Sequence, residues 1–287
     1  MFIIIGLAVV MGCVFGSYVI SGGKFEIIMH ALPHEMMAIA GAAVGAFIVA
    51  NSMGILAGGG LGRAFKGESW KKQDFADLLC LMFILMKTIR AKGVVAIEGH
   101  IERPEESKIF QNFPKIAKDH HLLDFICDYL RMMTMNFEDP HQVESAMEQD
   151  IEKHHKEEHA IQHSLVNMSE GLPAIGIVAA VLGVIKTMGS IDQPTEVLGA
   201  LIGGALTGTF LGVLLSYCVV GPIANRLGQV MEADSKPFDL VKIMLVAHLQ
   251  AGAAGLGRSR PPQHAHRHGP TFAELEEAIN GLPNDLA

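Results

Sequence analysis

Charge is what this sequence has least of. Only 18% of its 287 residues are Asp, Glu, Lys or Arg, where a soluble globular chain carries about a quarter. Aromatic residues make up 6%, with a single tryptophan. The four cysteines, Cys13, Cys80, Cys127 and Cys218, are far apart and form no Cys-x-x-Cys pair. That excludes a small disulfide-stapled module, and the thiols read as small apolar fillers. Positive charge does not dominate either: the net charge is −8, so the chain has no footprint for nucleic acid. No Walker motif, G-x-S-x-G or H-E-x-x-H occurs, so nothing points to a self-contained active site or to an enzyme. What remains is apolar. Hydrophobic residues are 50%, with 31 glycines and 16 methionines, and the mean hydropathy is +0.33, the composition of a membrane protein.

The charges are also unevenly spread. Residues 1–23, 36–62 and 197–223 contain none, and 171–191 contains only Lys186. A helix needs about 20 apolar residues to cross the hydrocarbon core, so each run is long enough. The reading is an all-α membrane protein with spans at 1–23, 34–62, 169–191 and 196–225. A large helical domain, 63–168, lies between the second and third spans, and a partly disordered tail occupies 226–287. The first run lacks a basic start and an Ala-x-Ala cleavage site, so it is read as an uncleaved span. Val10-Met11-Gly12-Cys13 only loosely resembles a lipoprotein box. Leu78–Met86 is apolar but too short to cross, and reads as a buried or interfacial helix face. Arg63, Lys66, Lys71 and Lys72 follow closely on a span end, whereas the two short connections offer only Lys24. The positive-inside rule therefore puts the loop, the tail and both termini in the cytoplasm.

Within the spans, small residues recur at helical spacing: Gly12/Gly16, Gly41/Gly45, Gly199/Gly203 and Gly204/Gly208/Gly212. Such stripes let helices approach closely, within one subunit or between subunits. No Asp, Glu or His falls near the centre of an expected span, although ion pathways across a bilayer normally use such residues. A conducting protein of this composition would need a carboxylate from a partner. The fourth span offers hydroxyls instead, Thr207, Thr209 and Ser216. Their plain reading is back-bonding to the preceding turn, and their functional alternative is a pore lining, with Thr209 and Ser216 on one face. Pro173 suits a helix start, and Pro222 is expected to kink or end a long helix.

In the loop, Asp74–Lys92 reads as a helix that ends in Lys87, Arg90 and Lys92, where cations suit the helix dipole. A short apolar step, 93–97, separates it from Glu98, Glu102, Arg103, Glu105 and Glu106. This is either a solvated surface or a mixed-charge docking patch. His155-Lys156-Glu157-Glu158-His159 matches H-x-x-E-H literally, but the stretch around it has the density of charge of a solvated helix. His264, His266 and His268 follow Pro261-Pro262 in what reads as a flexible tail.

Two hairpins of spans around a large helical loop resemble the MotA family of flagellar motor stator subunits, end to end. The resemblance is carried by Gly171-Leu172-Pro173-Ala174-Ile175-Gly176-Ile177-Val178-Ala179-Ala180-Val181-Leu182-Gly183, Gly208-Thr209-Phe210-Leu211-Gly212 and Gly221-Pro222. In the loop it rests on Arg90, Glu98, Pro104-Glu105-Glu106-Ser107 and the stretch from Leu123 to Arg131, and in the tail on Pro270 to Glu277. It implies a pentamer around the single-span helices of a MotB-type, peptidoglycan-anchored partner that carries the proton-accepting aspartate. It implies that Arg90 and Glu98 meet the rotor protein FliG, that Pro173 and Pro222 link protonation to movement, and that Ala180 and Thr209 face the ion path. Sodium-driven relatives place a hydroxyl where Ala180 stands, so the transported ion is expected to be H+, with no other cofactor. The location it implies is the bacterial inner membrane. The alternatives are a TolQ/ExbB-like proton-driven energiser, which usually has three spans, and a non-conducting membrane scaffold.

Overall fold

A computed structural model describes residues 2–52, 55, 60–135, 139–251 and 277. Among these the regular structure is helical throughout. Helices α1 (Phe2–Ile20), α2 (Phe25–Ala50) and α3 (Gly60–Lys66) precede α4 (Lys72–Lys92), a 3₁₀ turn (Val94–Ile97) and the short helices α5 (Glu98–Glu102), α6 (Lys108–Gln111) and α7 (Pro114–Lys118). Then follow α8 (His120–Thr134), α9 (Pro140–Met188), α10 (Thr195–Leu214), a π-helical stretch (Leu215–Val220) and α11 (Gly221–Ala251). Four helical segments, Ile3–Ile20, Phe25–Ala50, Pro140–Met188 and Thr195–Gln250, contain a stretch long and apolar enough to cross a membrane.

The chain divides into two compact units. The first comprises 1–67 and 157–231, the second 68–156 and 232–287. In the first, α2 and α10 run in parallel: Gly203 lies beside Ile27, Gly204 beside Ala31 and Gly208 beside Glu35. The Phe15 ring of α1 meets Phe25 and Phe210 edge-on, at centroid distances of 5.8 and 5.9 Å, a favoured aromatic geometry. At the far end of α2, Asn51 Oδ1 lies 2.5 Å from Ser164 Oγ of α9. Arg63 of α3 donates to Glu158 at 2.7 Å.

The second unit is a water-soluble type of core. Helix α8 puts Leu122, Leu123, Ile126, Cys127, Leu130 and Met133 inward, the three-and-four spacing of one helix face. The Asp119 side chain caps its start by accepting from the Leu122 N–H. Helix α4 begins with Asp74 accepting from the Lys71 N–H at 2.6 Å, and Lys115 closes on the same carboxylate at 2.5 Å. Leu78, Leu81, Met82, Leu85 and Met86 of α4 are buried with Phe110, Ile97 and Ile116. The apolar run at 78–86 is therefore a core face. Cys80 and Cys127 belong to this core, and burial pushes their thiols up to about 11 and about 12, as fits inert fillers.

Several expected boundaries move. The second long apolar helix covers 25–50 instead of 34–62; Lys24 precedes it, and the polar residues up to Glu35 lie inside it. The break expected at 226 is also absent: α11 continues to Ala251, and Phe238, Leu240, Val241 and Leu245 enter the core of the second unit. Those residues are interleaved with Lys236, Asp239 and Lys242, so charge density hid an amphipathic face. The second unit accordingly draws on 232–251 as well as 68–156, and not on 63–168. Pro173 does not start a helix but lies within α9. His264, His266, His268 and the stretch Pro270 to Glu276 fall outside the described residues.

Candidate functional site

Helices α9 and α10 cross with almost nothing between their backbones. A Cβ on Gly176 would lie 2.9 Å from the Gly208 carbonyl oxygen and 3.0 Å from Gly212 Cα, and one on Gly212 would lie 2.7 Å from the Leu172 oxygen. Farther along, a Cβ on Gly183 would sit 2.6 Å from that of Ala205. These obstacles are main chain or, at Ala205, a Cβ fixed to it, and none can rotate aside. The Gly208/Gly212 part of the glycine stripe thus serves close packing inside one chain, as short side chains allow. Gly12, Gly16, Gly41, Gly45 and Gly199 have no such neighbour within 4 Å among the described residues.

At this crossing stand the two expected ion-path residues. Ala180 follows Ala179, which is buried against Gly208, and its amide nitrogen lies 3.3 Å from where a Gly208 Cβ would be. Thr209 is the next residue, and both Ala180 and Thr209 are half-buried. The other hydroxyls are otherwise engaged. Thr207 donates to the Gly203 carbonyl at 2.9 Å, the plain back-bond. Ser216 is fully buried, so it does not share an open face with Thr209; Ser169 of α9 covers it.

That Ser169–Ser216 contact ties the two prolines together. Pro173 has no N–H to donate to the carbonyl four residues back, which is that of Ser169. One turn from the proline, the Ser169 hydroxyl donates to the Ser216 carbonyl at 2.9 Å. The same carbonyl accepts the Gly221 N–H, five residues on, in the π-helical stretch. A Cβ on Gly221 would lie 2.9 Å from the Ser216 oxygen and 3.1 Å from Ser169 Oγ, so glycine leaves the room that these two hydrogen bonds to one oxygen need. Pro222 follows directly and is exposed. It does not end the helix: the wider π turn lets the chain run on past the missing N–H.

Glu35 was the residue a charge-free boundary concealed. Its Oε2 would lie 2.5 Å from a Cβ on Gly208, the glycine that also receives Ala179 and Ala180. The first unit therefore does carry a carboxylate within a long apolar helix, contrary to the sequence expectation. Spacing held the signal: Ile27, Ala31 and Glu35 are four apart, one face of a helix.

In the second unit, α4 stops where Gly93 takes φ +86°, a conformation that favours glycine, and its N–H returns to the Ile89 carbonyl at 2.8 Å. The chain turns through 94–97, with Ile97 wholly buried as an anchor and Val95 76% exposed at the surface. Arg90 and Glu98 flank this turn, and both are exposed. In the same unit, His248 of α11 has a buried Nδ1 with no hydrogen-bond partner among the described residues. Burial, and then the nearby positive charge of Arg90, hold its pKa below the ordinary value of 6.5. His155 and Glu158 of the H-x-x-E-H stretch lie on α9, and the Glu158 carboxylate is bound to Arg63.

Comparison with known proteins gives these positions a setting. Residues 4–93 match the family model of the motility protein A N-terminal region, and 117–239 match that of the MotA/TolQ/ExbB proton channel family. The chain is 38% identical to Motility protein A of Escherichia coli K12, over 99% of this chain and 97% of that protein. It is 34% identical to the chemotaxis protein LafT of Vibrio parahaemolyticus, over 95% and 96% of the two chains. Its fold is similar to that of C. jejuni MotAB, with a TM-score of 0.68 at 17% identity over 99% of this chain and 96% of the other. The flagellar MotAB stator complex of Bacillus subtilis gives 0.63 at 20% identity, over 87% and 90%. The chain belongs to the motility protein A family, within the MotA/TolQ/ExbB proton channel proteins.

Proposed function

We propose that this chain is a stator subunit of a bacterial flagellar motor, which with a MotB-type partner conducts protons across the inner membrane and turns their flow into torque. The observation that carries the reading is the main-chain crossing of α9 and α10, with Ala180 and Thr209 at its level, in a chain similar end to end to a named motility protein. The subunits assemble as a pentamer around the single-span, peptidoglycan-binding partner, whose carboxylate accepts the proton beside Ala180 and Thr209. The second unit and both chain ends are cytoplasmic.

Protonation of that carboxylate removes a charge from a low-dielectric site and changes which packing of the surrounding helices is preferred. Helices meeting main chain to main chain have few interlocked arrangements, so the response is a step and not a gradual drift. Pro173 and Pro222, joined through Ser169, Ser216 and Gly221, are where α9 and α11 absorb it. Both helices contribute residues to both units, so the step reaches the cytoplasmic part along continuous chain. There Arg90 and Glu98 push on FliG, with opposite charges fixing register. One proton falling through about 150 mV releases roughly 3.5 kcal/mol, several times thermal energy.

Co-expression with a single-span, peptidoglycan-binding partner tests the reading. The two are expected to co-purify and to give a proton leak that neither gives alone; absence of both results sinks it. The rotor contact is tested separately by Arg90→Glu and Glu98→Lys, which are expected to impair swimming while leaving the assembled complex intact. Normal swimming in the double variant removes that contact.

A further inference from the structure

Glu35 lies ten residues into α2, about 15 Å along the helix axis at 1.5 Å per residue. Gly208 lies thirteen residues into α10, about 20 Å along. Three helices converge on that glycine: Glu35 from α2, Ala179 and Ala180 from α9, and α10 itself. An ionisable side chain held half-buried against a glycine of a neighbouring apolar helix is costly in a membrane protein, and it usually marks an ion path or is neutralised by a bound partner. Partnering is visible elsewhere in this unit, where Arg63 holds Glu158 at 2.7 Å. For Glu35, no hydrogen bond from the described residues engages the carboxylate. The charges that reach it are those of His34 on its own helix and Lys186 on α9. His30 lies further back on α2, α10 has no charged residue after Glu196, and α1 has none. A fixed structural acid would be locked by a donor; this one is left able to gain and lose a proton beside the Ala180–Thr209 level.

From this geometry we infer that Glu35 is a proton-carrying group of the ion path, supplied by this chain in addition to the partner's carboxylate; the inference rests on the conducting function proposed above. The step is a proton transfer and nothing more. A carboxylate oxygen of Glu35 forms an O–H bond with a proton arriving through water from the outer side. That bond breaks when the proton passes on towards the partner's carboxylate, and the Glu35 charge returns to its starting value.

The test uses the assembled complex of this chain with its partner, in vesicles that report internal pH. Wild-type flux is measured first; if there is none, the conducting function itself fails and the inference falls with it. Glu35→Gln keeps the size and polarity of the side chain but cannot titrate. It is expected to lower flux at least tenfold and to abolish swimming with the amount of complex unchanged. Glu35→Asp is expected to conduct with a displaced pH profile. Wild-type flux and an unchanged pH profile in Glu35→Gln overturn the inference. If that variant does not assemble, the wild-type complex decides: a hydrophobic carbodiimide, which adds to protonated carboxyls in apolar surroundings, is expected to label Glu35 less as pH rises. Absence of label on Glu35 at every pH, read by peptide mass spectrometry, also overturns it.

Discussion

In the first unit α9 and α10 meet backbone to backbone, whereas in the second the helices meet through large interdigitated side chains. Gly176, Gly208 and Gly212 bring α9 and α10 together, while Phe110, Met82, Leu85 and Ile126 fill the second core and are wholly buried. The solvents explain the contrast. Among lipid tails, burying a leucine against another helix gains little over leaving it in hydrocarbon, so contact comes from close approach of small residues. Ile177, Val178, Val181, Leu182 and Ile185 accordingly point outward from α9. In water the same side chains would be driven inside at about 25 cal/mol per Å², and the second unit does this. One substitution, to alanine, therefore has opposite meanings in the two places. In the second unit it empties space, and in the first it fills space that is not there.

The largest effect is expected from Phe110→Ala. Removing a fully buried ring leaves a cavity and costs about 3–5 kcal/mol. The unit carries its own reporter, since the single tryptophan, Trp70, is buried in that core. In purified full-length chain the Trp fluorescence transition is expected to move to markedly lower temperature, while the helical signal of the spans unfolds later and little changed. A single coincident shift of both signals would mean that the two units unfold as one, and would break the comparison.

Next in size is Gly212→Ala. The new methyl meets the Leu172 carbonyl oxygen and Gly176 Cα within 3 Å, so the helices must part, at a cost of about 1–3 kcal/mol. Here the helical signal of the spans is expected to shift while Trp70 fluorescence does not. Gly203→Ala is the control, since its methyl meets only the tip of Ile27 at 3.1 Å. If the two variants melt alike, close main-chain approach is not what holds the crossing.

How far each unit can be read from sequence follows the same division. The spans are legible because absence of charge is a strong signal, but that signal fails at their ends. It stopped at Glu35, ten residues short of the start of α2, because it treats any charge as a boundary. Spacing would have kept Ile27, Ala31 and Glu35 on one face. It failed again at α11, where Lys236 and Lys242 alternate with core residues. The likeness to a family supplied Arg90, Glu98, Pro173, Pro222, Ala180 and Thr209 as candidates. It could not show that Ser169 hydrogen-bonds across to Ser216, because that bond depends on a π turn and on the absence of a side chain at Gly221. Backbone geometry of this kind has no compositional trace.

A pH effect of intermediate size is expected in the second unit. Burial and Arg90 hold the His248 pKa below its ordinary value of 6.5, so the folded chain keeps it neutral where the unfolded chain would charge it. As pH falls through about 6.5 the unfolded state binds the extra proton first, and stability drops until the folded pKa is also passed. Above that range the residue contributes no pH dependence. The Trp70 fluorescence transition should therefore fall in temperature on acidification below neutrality, and less steeply in His248→Gln. An identical acid limb in the variant would assign the loss to other groups.

The smallest effect is expected at Gly12 and Gly16, which sharpen the comparison from the other side. They have the same four-residue spacing as Gly208 and Gly212, yet a methyl on either would meet nothing within 4 Å among the described residues. If spacing alone made a packing stripe, alanine there would damage the chain as it does at Gly212. If close approach is what matters, alanine only removes freedom from the unfolded chain, a gain of about 0.5 kcal/mol. The double variant is therefore expected to melt as the parent does or slightly higher. Its assembled complex should be measured in parallel, because these faces are open in the single chain and a neighbouring subunit could use them. A lowered melting temperature of the isolated chain would show that the Gly12/Gly16 face of α1, and not only its Phe15 face, is packed within the subunit. A normal chain with a weakened complex would locate that stripe between subunits, leaving the α9–α10 crossing as the contact made inside one.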